Sequence, residues 1–260
     1  MPRIAIFIVA YNAEATLGGV IERIPAPIMD KVEEIFVFDD ASQDRTSAVG
    51  REYARRLGAG KLVIHRNPVN LMYGGNQQRG YRYAIERGFD IVVLLHGDGQ
   101  YAPEVMQELL TPLERGQADM VMGSRMLIEG GAIRGNMPRY KFVGNKILTR
   151  AQNFLLGTRL SEFHSGYRAY AVAALATIPL GALTQDWHFD TQIILHFLQR
   201  GYRVKEVPIP TYYGDEISRV NGIPYAINCI RESLVFALAY RWRIRGRSDA
   251  TLPPAPRPEE

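Results

Sequence analysis

The sequence has one cysteine, Cys229, among 260 residues, so no internal disulfide framework can staple it. That fits a reducing compartment. It lacks any apolar run of the roughly 18–20 residues needed to cross a bilayer. Residues 1–8 carry one arginine and run straight into strand-like sequence without a signal-peptide cleavage pattern. A cytoplasmic location is therefore expected. No Gly-x-Gly-x-x-Gly follows the first strand-like run, which argues against a dehydrogenase. Basic residues are scattered apart from one short run, which argues against nucleic-acid binding. No internal repeat is visible.

What is present is ordinary for a globular chain: 47% hydrophobic and 22% charged residues, with a net charge of +4. Residues 4–10 (IAIFIVA) form a continuous apolar run rich in β-branched residues, the pattern of a strand buried on both faces. Similar runs occupy 35–38, 62–65, 91–95 and 120–122, and helical spacing fills 16–24, 46–57, 75–87 and 104–115. Strands alternating with helices predict an α/β fold with an open, mostly parallel sheet flanked by helices. The second half is less regular. A glycine- and arginine-containing stretch at 127–140 reads as a long loop over the rim, followed by a helix at 141–156 and a strand at 166–171. A helix at 190–200, a last strand at 202–208, a polar loop at 211–222 and a helix from about 224 to 241 complete the pattern.

Ligands of such sheets bind beyond the carboxyl ends of the strands. Three strands here end in polar sequence: Tyr11-Asn12, Asp39-Asp40-Ala41-Ser42 and His96-Gly97-Asp98-Gly99-Gln100. Asp98, between two glycines at the end of a buried run, suits a hard divalent cation that bridges a diphosphate, because such an ion needs only one or two carboxylates besides phosphate oxygens and water. The alternative is a cap for the helix after Pro103. Asp40 can accept hydrogen bonds from a base or from ribose hydroxyls, whereas Asp44 reads as a helix cap.

Four stretches, AYNAEATL, FDDASQDRT, HGDGQYAPE and GSR at 123–125, resemble those of family 2 inverting glycosyltransferases of the GT-A fold. Two later blocks, HSGYRAY at 164–170 and FDTQIILHFLQRGYRVKEVPI at 189–209, extend the match. The order and spacing are closest to the dolichyl- or polyprenyl-phosphate mannose or glucose synthase branch. The apolar-then-basic stretch at 226–247 predicts a C-terminal helix for membrane-surface or partner docking, and the proline-rich, charged residues 248–260 predict a disordered tail; the resemblance implies a catalytic domain over 1–225. It further implies that Ala10, Tyr11, Asn12 and Glu14 line a nucleotide pocket and that Asp40 holds the base or ribose. Asp98 and Gln100 would face metal and diphosphate, Arg125 would bind phosphate, and Ser218 and Arg219 would close over the diphosphate.

One departure stands out. The family usually has Asp-x-Asp where this chain has His96-Gly97-Asp98, so His96 becomes a candidate ligand for a softer ion, and the cofactor expected is magnesium or manganese. The expected reaction is a metal-assisted inverting displacement that moves a hexose from a GDP- or UDP-linked sugar. Asp190 is the candidate base or acceptor-orienting residue, with an N-cap as its alternative, and Asp98, Asp190 and Arg125 form the candidate catalytic set. The expected acceptor is a polyprenyl or dolichyl phosphate at the membrane surface, reached peripherally, through a membrane-protein partner or as a homo-oligomer. A saccharide or small-molecule hydroxyl acceptor, or a catalytically weakened nucleotide-sugar-binding protein, are the rival readings.

Overall fold

The computed structural model describes residues 1–58, 60–214 and 221–245. Seven strands form one sheet: β1 (Ile4–Ala10), β2 (Glu34–Asp39), β3 (Leu62–Arg66), β4 (Ile91–His96), β5 (Met120–Ser124), β6 (Arg168–Ala171) and β7 (Val204–Pro208). Their order is β3-β2-β1-β4-β6-β5-β7. All neighbours are parallel except the pairs made by β6, which runs antiparallel to β4 and to β5. Among the described residues ten α-helices surround the sheet: α1 (Leu17–Glu22), α2 (Ala26–Lys31), α3 (Thr46–Leu57), α4 (Met72–Glu86), α5 (Met106–Glu114), α6 (Gly131–Arg134), α7 (Arg139–Leu156), α8 (Val172–Leu175), α9 (Phe189–Gln199) and α10 (Gly222–Arg245).

The apolar strands are continuous in sequence because both faces of the sheet are covered. Along β1, Ile4, Ile6 and Ile8 point into a core shared with α1, α2 and α5. Ala5 and Phe7 point the other way, into a core shared with α4, α8 and α9. Phe7 stacks on Phe36 at 5.1 Å and meets Tyr81 edge-on at 5.6 Å. α4 approaches this aromatic layer through Gly80, where a Cβ would lie 2.0 Å from the Phe7 ring. The helix therefore sits as close to the sheet as its bare backbone allows.

Chain order fixes where a ligand can sit. β2 and β3 are laid down on one side of β1, and β4 then returns to its other side. That reversal opens a crevice at the carboxyl ends of β1 and β4, the usual ligand position in open α/β sheets. Register aligns Ala10 with Asp39 and Val9 with His96. The segments 11–14, 40–46 and 97–100 consequently leave the sheet at one level.

Candidate functional site

The first two rim segments are clasped together. The backbone N–H groups of Asn12 and Ala13 donate to Ser42 Oγ and Thr46 Oγ1, each at 2.8 Å. Glu14 N donates to Asp44 Oδ2 at 3.1 Å. In return, Asn12 Oδ1 accepts from Gln43 N at 2.8 Å and Glu14 Oε2 accepts from Arg45 N at 3.0 Å. Asn12 and Ala41 both take left-handed backbone angles, φ 49° and 57°, which turn the two loops toward each other. Side chains expected to line a pocket, Asn12 and Glu14, thus also hold its walls. Asp44 accepts from Thr46 N, the first residue of α3, at 2.9 Å, while the N-cap position is Arg45 and has no side-chain cap bond.

Asp39 and Asp40 divide their work. Asp39 is fully buried and accepts from Ser42 N at 2.9 Å, from Ser47 Oγ and from Arg66 Nη1 at 3.2 Å. Asp40 lies beside buried Ala10, donating its N–H to the Ala10 carbonyl at 2.9 Å. Its Oδ1 accepts from Asn67 Nδ2 and from Leu71 N, each at 2.8 Å. Burial pushes its carboxyl above the ordinary carboxylate range, and those two hydrogen bonds oppose the rise. Tyr11 stands at the outer lip, exposed.

Across the crevice, β4 ends at His96 and the chain turns through Gly97-Asp98-Gly99. A Cβ on Gly97 would lie 3.2 Å from the Val9 carbonyl, and Gly99 has φ +80°, so both glycines serve this turn. Asp98 is exposed, and its Oδ1 accepts the N–H of Gln100 at 3.0 Å. It is not a helix cap: Ala102 begins the short 3-10 turn at Pro103–Val105 with no side-chain cap bond. His96 is held differently. Its ring meets Tyr101 edge-on at 5.0 Å, its Nε2 lies 3.5 Å from Tyr73 Oη, and a Cβ on Gly166 would come within 2.7 Å of that nitrogen. Burial lowers its pKa, with Asp98 and Asp190 pulling the other way. Among the described residues no group of three or more His, Cys, Asp and Glu side chains forms a metal cage. Asp98, as an exposed oxygen donor, fits a hard divalent ion whose shell is completed by phosphate and water.

Asp190 is the second residue of α9, which His188 precedes as N-cap, so the capping alternative does not apply. Its buried carboxylate turns to α4 instead. It accepts from Tyr73 Oη at 2.8 Å and from Gln77 Nε2 at 3.3 Å, and lies 3.5 Å from Arg168 Nη1. Arg168 is wholly buried on β6 and also donates to the carbonyls of Ser165 and Asp190, each at 2.9 Å. Tyr73 stacks on Trp187 at 4.6 Å. One hydroxyl therefore spans from Asp190 to the ring at the end of β4. From the same helix, Asn76 accepts from Asn67, the same amide that holds Asp40, at 2.9 Å.

Arg125, expected to meet phosphate, is buried at the end of β5 and already paired. Its Nε donates to Glu162 Oε1 at 2.9 Å, its backbone N to Glu162 Oε2 at 2.8 Å, its Nη1 to Tyr213 Oη at 3.0 Å and its Nη2 to Glu162 and to the His164 carbonyl. Burial pushes Glu162 up, but the guanidinium outweighs it and holds the carboxyl below its ordinary value. Arg125 also lines a cavity of about 230 Å³ whose walls include Leu127, Ile128, Phe142 and Lys146. The expected loop at 127–140 contains α6. Ser218 and Arg219 lie outside the described residues. Glu162, Arg168, Tyr73 and Gln77 complete these networks, the first three without any signal of that role in the local sequence. The only signal for Gln77 is the run Asn76-Gln77-Gln78, three amides inside a helix that packs on the core.

An open α/β sheet with carboxylates gathered at its switch point defines a nucleotide-sugar transferase fold of the GT-A type. The chain belongs to the glycosyl transferase family 2, whose profile matches residues 5–178. It is 32% identical over 250 residues to the polyprenol monophosphomannose synthase of Mycolicibacterium smegmatis, a match covering 95% of this chain and 89% of that one. It is 28% identical over 250 residues to the undecaprenyl-phosphate mannosyltransferase of Micrococcus luteus, covering 92% and 96%. Among solved structures, glucosyl-3-phosphoglycerate synthase from Mycobacterium tuberculosis, bound to Mn2+, UDP-glucose and phosphoglyceric acid, superposes with a TM-score of 0.67. That match covers 92% of this chain and 80% of the other at 20% identity, a likeness of fold. The chain is therefore a glycosyltransferase, similar to relatives named for polyprenyl-phosphate mannose transfer.

Proposed function

We propose that the enzyme moves a hexose, mannose being the first to test, from a GDP- or UDP-linked donor to a polyprenyl phosphate with inversion at the anomeric carbon. The observation that carries this reading is the exposed carboxylate of Asp98, fixed between two glycines at the sheet's switch point. The acceptor class is drawn from the relatives, which are similar along nearly the whole chain.

In this reading Ala10, Tyr11, Asn12 and Glu14 frame the nucleotide, and Asp40 takes the base or ribose through whatever hydrogen-bonding capacity Asn67 and Leu71 leave open. Asp98, with Gln100 and His96 beside it, holds a magnesium or manganese ion. The ion, when bound, supplies positive charge against the diphosphate. Asp98 is its anchoring ligand. His96 serves through its packing against Tyr73 and Tyr101. Arg125 and Lys146 present cationic charge to a phosphate at their cavity, with Glu162 fixing the direction of the guanidinium. Ser218 and Arg219 are assigned to the diphosphate by resemblance.

Asp190 orients the acceptor rather than deprotonating it, since a phosphate monoester is already ionised at neutral pH. Tyr73, Gln77 and Arg168 hold it in place. The enzyme works at the cytoplasmic face of a membrane, bound peripherally. The test is incubation with GDP-mannose, UDP-glucose and UDP-N-acetylglucosamine, a polyprenyl phosphate in detergent, and Mg2+ or Mn2+. A lipid-linked sugar of inverted configuration with one equivalent of nucleoside diphosphate is the expected product. Transfer only to saccharide alcohols would reject the acceptor assignment.

A further inference from the structure

Tyr73 and Trp187 form an aromatic pair that the packing of the sheet does not account for. Their rings stack at 4.6 Å with 25° between the planes, and both residues are only partly buried. Neither belongs to the apolar core on either face of the sheet. Polar contacts hold the segment that carries Trp187 against α4. Gly74 N donates to the Gln185 carbonyl at 2.6 Å, and a Cβ on Gly74 would lie 2.5 Å from the Thr184 carbonyl. Buried Gln78 donates through Nε2 to the Leu183 and Thr184 carbonyls at 3.0 and 3.1 Å. Gln192 of α9 accepts from Thr184 N at 2.8 Å, and Asp186 accepts from Trp187 N at 2.7 Å. Asn76 turns to Asn67 and Gln77 to Asp190, so three consecutive amides of α4 fix three parts of one crevice. The third part is the tryptophan's segment.

The pair also has a definite place. Tyr73 Oη lies 3.5 Å from Nε2 of His96, two residues before Asp98, and donates to Asp190 at 2.8 Å. The Tyr73 and His96 ring centres are 5.7 Å apart. An inverting displacement puts leaving group and nucleophile on opposite sides of the anomeric carbon. With the diphosphate at Asp98 and the acceptor at Asp190, that carbon lies between them, over Tyr73. The rest of the sugar then extends beside that line. A pyranose has a face made of C–H bonds, which packs on a flat aromatic ring while the hydroxyls point outward round the rim.

We infer that Trp187, backed by Tyr73, is the platform on which the transferred hexose lies, and that it sets how tightly the sugar, as distinct from the nucleotide, is bound. Gln78 and Gln192 act behind it as positioning residues, holding the backbone from which the indole projects. The acceptor's lipid chain is a poorer occupant, because apolar walls at Leu127, Ile128 and Phe142 stand beside Arg125, where its phosphate is assigned. The inference rests on the nucleotide-sugar reading of the donor and on the sides given to Asp98 and Asp190.

The experiment compares sugar-bearing with sugar-free ligands on the full chain with Mg2+: GDP-mannose against GDP, and UDP-glucose and UDP-N-acetylglucosamine against UDP. The parent, Trp187→Ala and Trp187→Phe are titrated by calorimetry, with circular dichroism as the check on folding. For the nucleotide sugar that the parent binds best, Trp187→Ala should weaken binding about three- to tenfold, and Trp187→Phe should recover most of that loss. Affinity for the matching nucleoside diphosphate should change less than about twofold. A second measurement leaves the platform intact. The chain has two tryptophans, so Trp242→Phe makes Trp187 the sole emitter. Its fluorescence should change when the nucleotide sugar is added and hold steady with the nucleoside diphosphate. Equal weakening of both ligands in Trp187→Ala, or no weakening of either, would overturn the inference. So would an emission change produced fully by the nucleoside diphosphate, or one that appears only when a polyprenyl phosphate is added. If the parent binds nucleotide sugars and Trp187 does not respond to the sugar, the donor reading stands and the platform falls. If the parent binds no nucleotide sugar, the donor reading itself fails and takes the platform with it.

Discussion

Replacing Tyr73 with phenylalanine tests how the acceptor side is organised. The hydroxyl makes the shortest bond to Asp190, 2.8 Å, against 3.3 Å from Gln77 and 3.5 Å from Arg168. It is also the group that links Asp190 to His96, at 3.5 Å. Phenylalanine keeps the ring that stacks on Trp187, so the packing loss is small. What is lost is one hydrogen bond to a charged group, about 1.5–3 kcal/mol. Gln77 and Arg168 remain to hold the carboxylate, which favours the lower end for folding stability. If the bond fixes Asp190 for the acceptor, the same loss in the transition state lowers kcat by roughly 10- to 100-fold. Asp40, proposed for the donor, is held by Asn67 and not by Tyr73, so the donor KM should change less than about twofold. Initial rates at saturating acceptor, with the melting temperature as a control, measure both. A melting temperature that falls while kcat holds would make Tyr73 merely structural, and a rise confined to the donor KM would place it on the wrong side of the site.

Other positions give sharper structural tests. Gly80→Ala drives a methyl into the Phe7 ring and should cost about 1–3 kcal/mol or more, seen as a lower melting temperature. Gly144→Ala, with nothing within 4 Å of its Cβ on the same kind of helix, should stabilise by about 1 kcal/mol or less. Burial lowers the His164 pKa to about 3, and its Nε2 is shielded without a partner. The unfolded chain therefore takes up this proton first on acidification. Stability should fall between about pH 6.5 and 3, by at most ~1.4 kcal/mol per pH unit from this residue, and denaturant titrations of His164→Gln should show a shallower slope. Glu162→Gln leaves Arg125 buried without its anion and should destabilise by about 3–5 kcal/mol in urea titration.

The sheet was legible because β1, β2 and β4 are buried on both faces, and such strands show as unbroken apolar runs. The helix at 46–57 has the same limits in sequence and structure. α2 has no counterpart among the expected elements; it is a six-residue helix with proline in its first turn, a position where proline is compatible with a helix. α4 begins three residues before the expected start at 75, taking in Met72, Tyr73 and Gly74. Gly74 is needed where a Cβ would lie 2.5 Å from the Thr184 carbonyl. The direction of β6 leaves no trace in its side-chain pattern, because parallel and antiparallel strands share a period of two. At the site, residues that leave the sheet as exposed loops were recognisable, Asp98 above all. Partners were not. Glu162 lies 37 residues from Arg125, and Tyr73 lies 117 from Asp190, separations that only the folded chain closes.

Binding of nucleoside diphosphate to Asp98→Asn reaches the centre of the account most directly. Asp98 is exposed and accepts a backbone hydrogen bond within its turn, so the variant should melt within a degree or two of the parent. Calorimetric titration with GDP and UDP, each with and without Mn2+, compares the two proteins. The parent should bind one of them at least tenfold more tightly with the metal than without it, and the variant should lose that gain. Equal affinity and equal metal dependence in the two proteins would contradict a cation anchored at position 98.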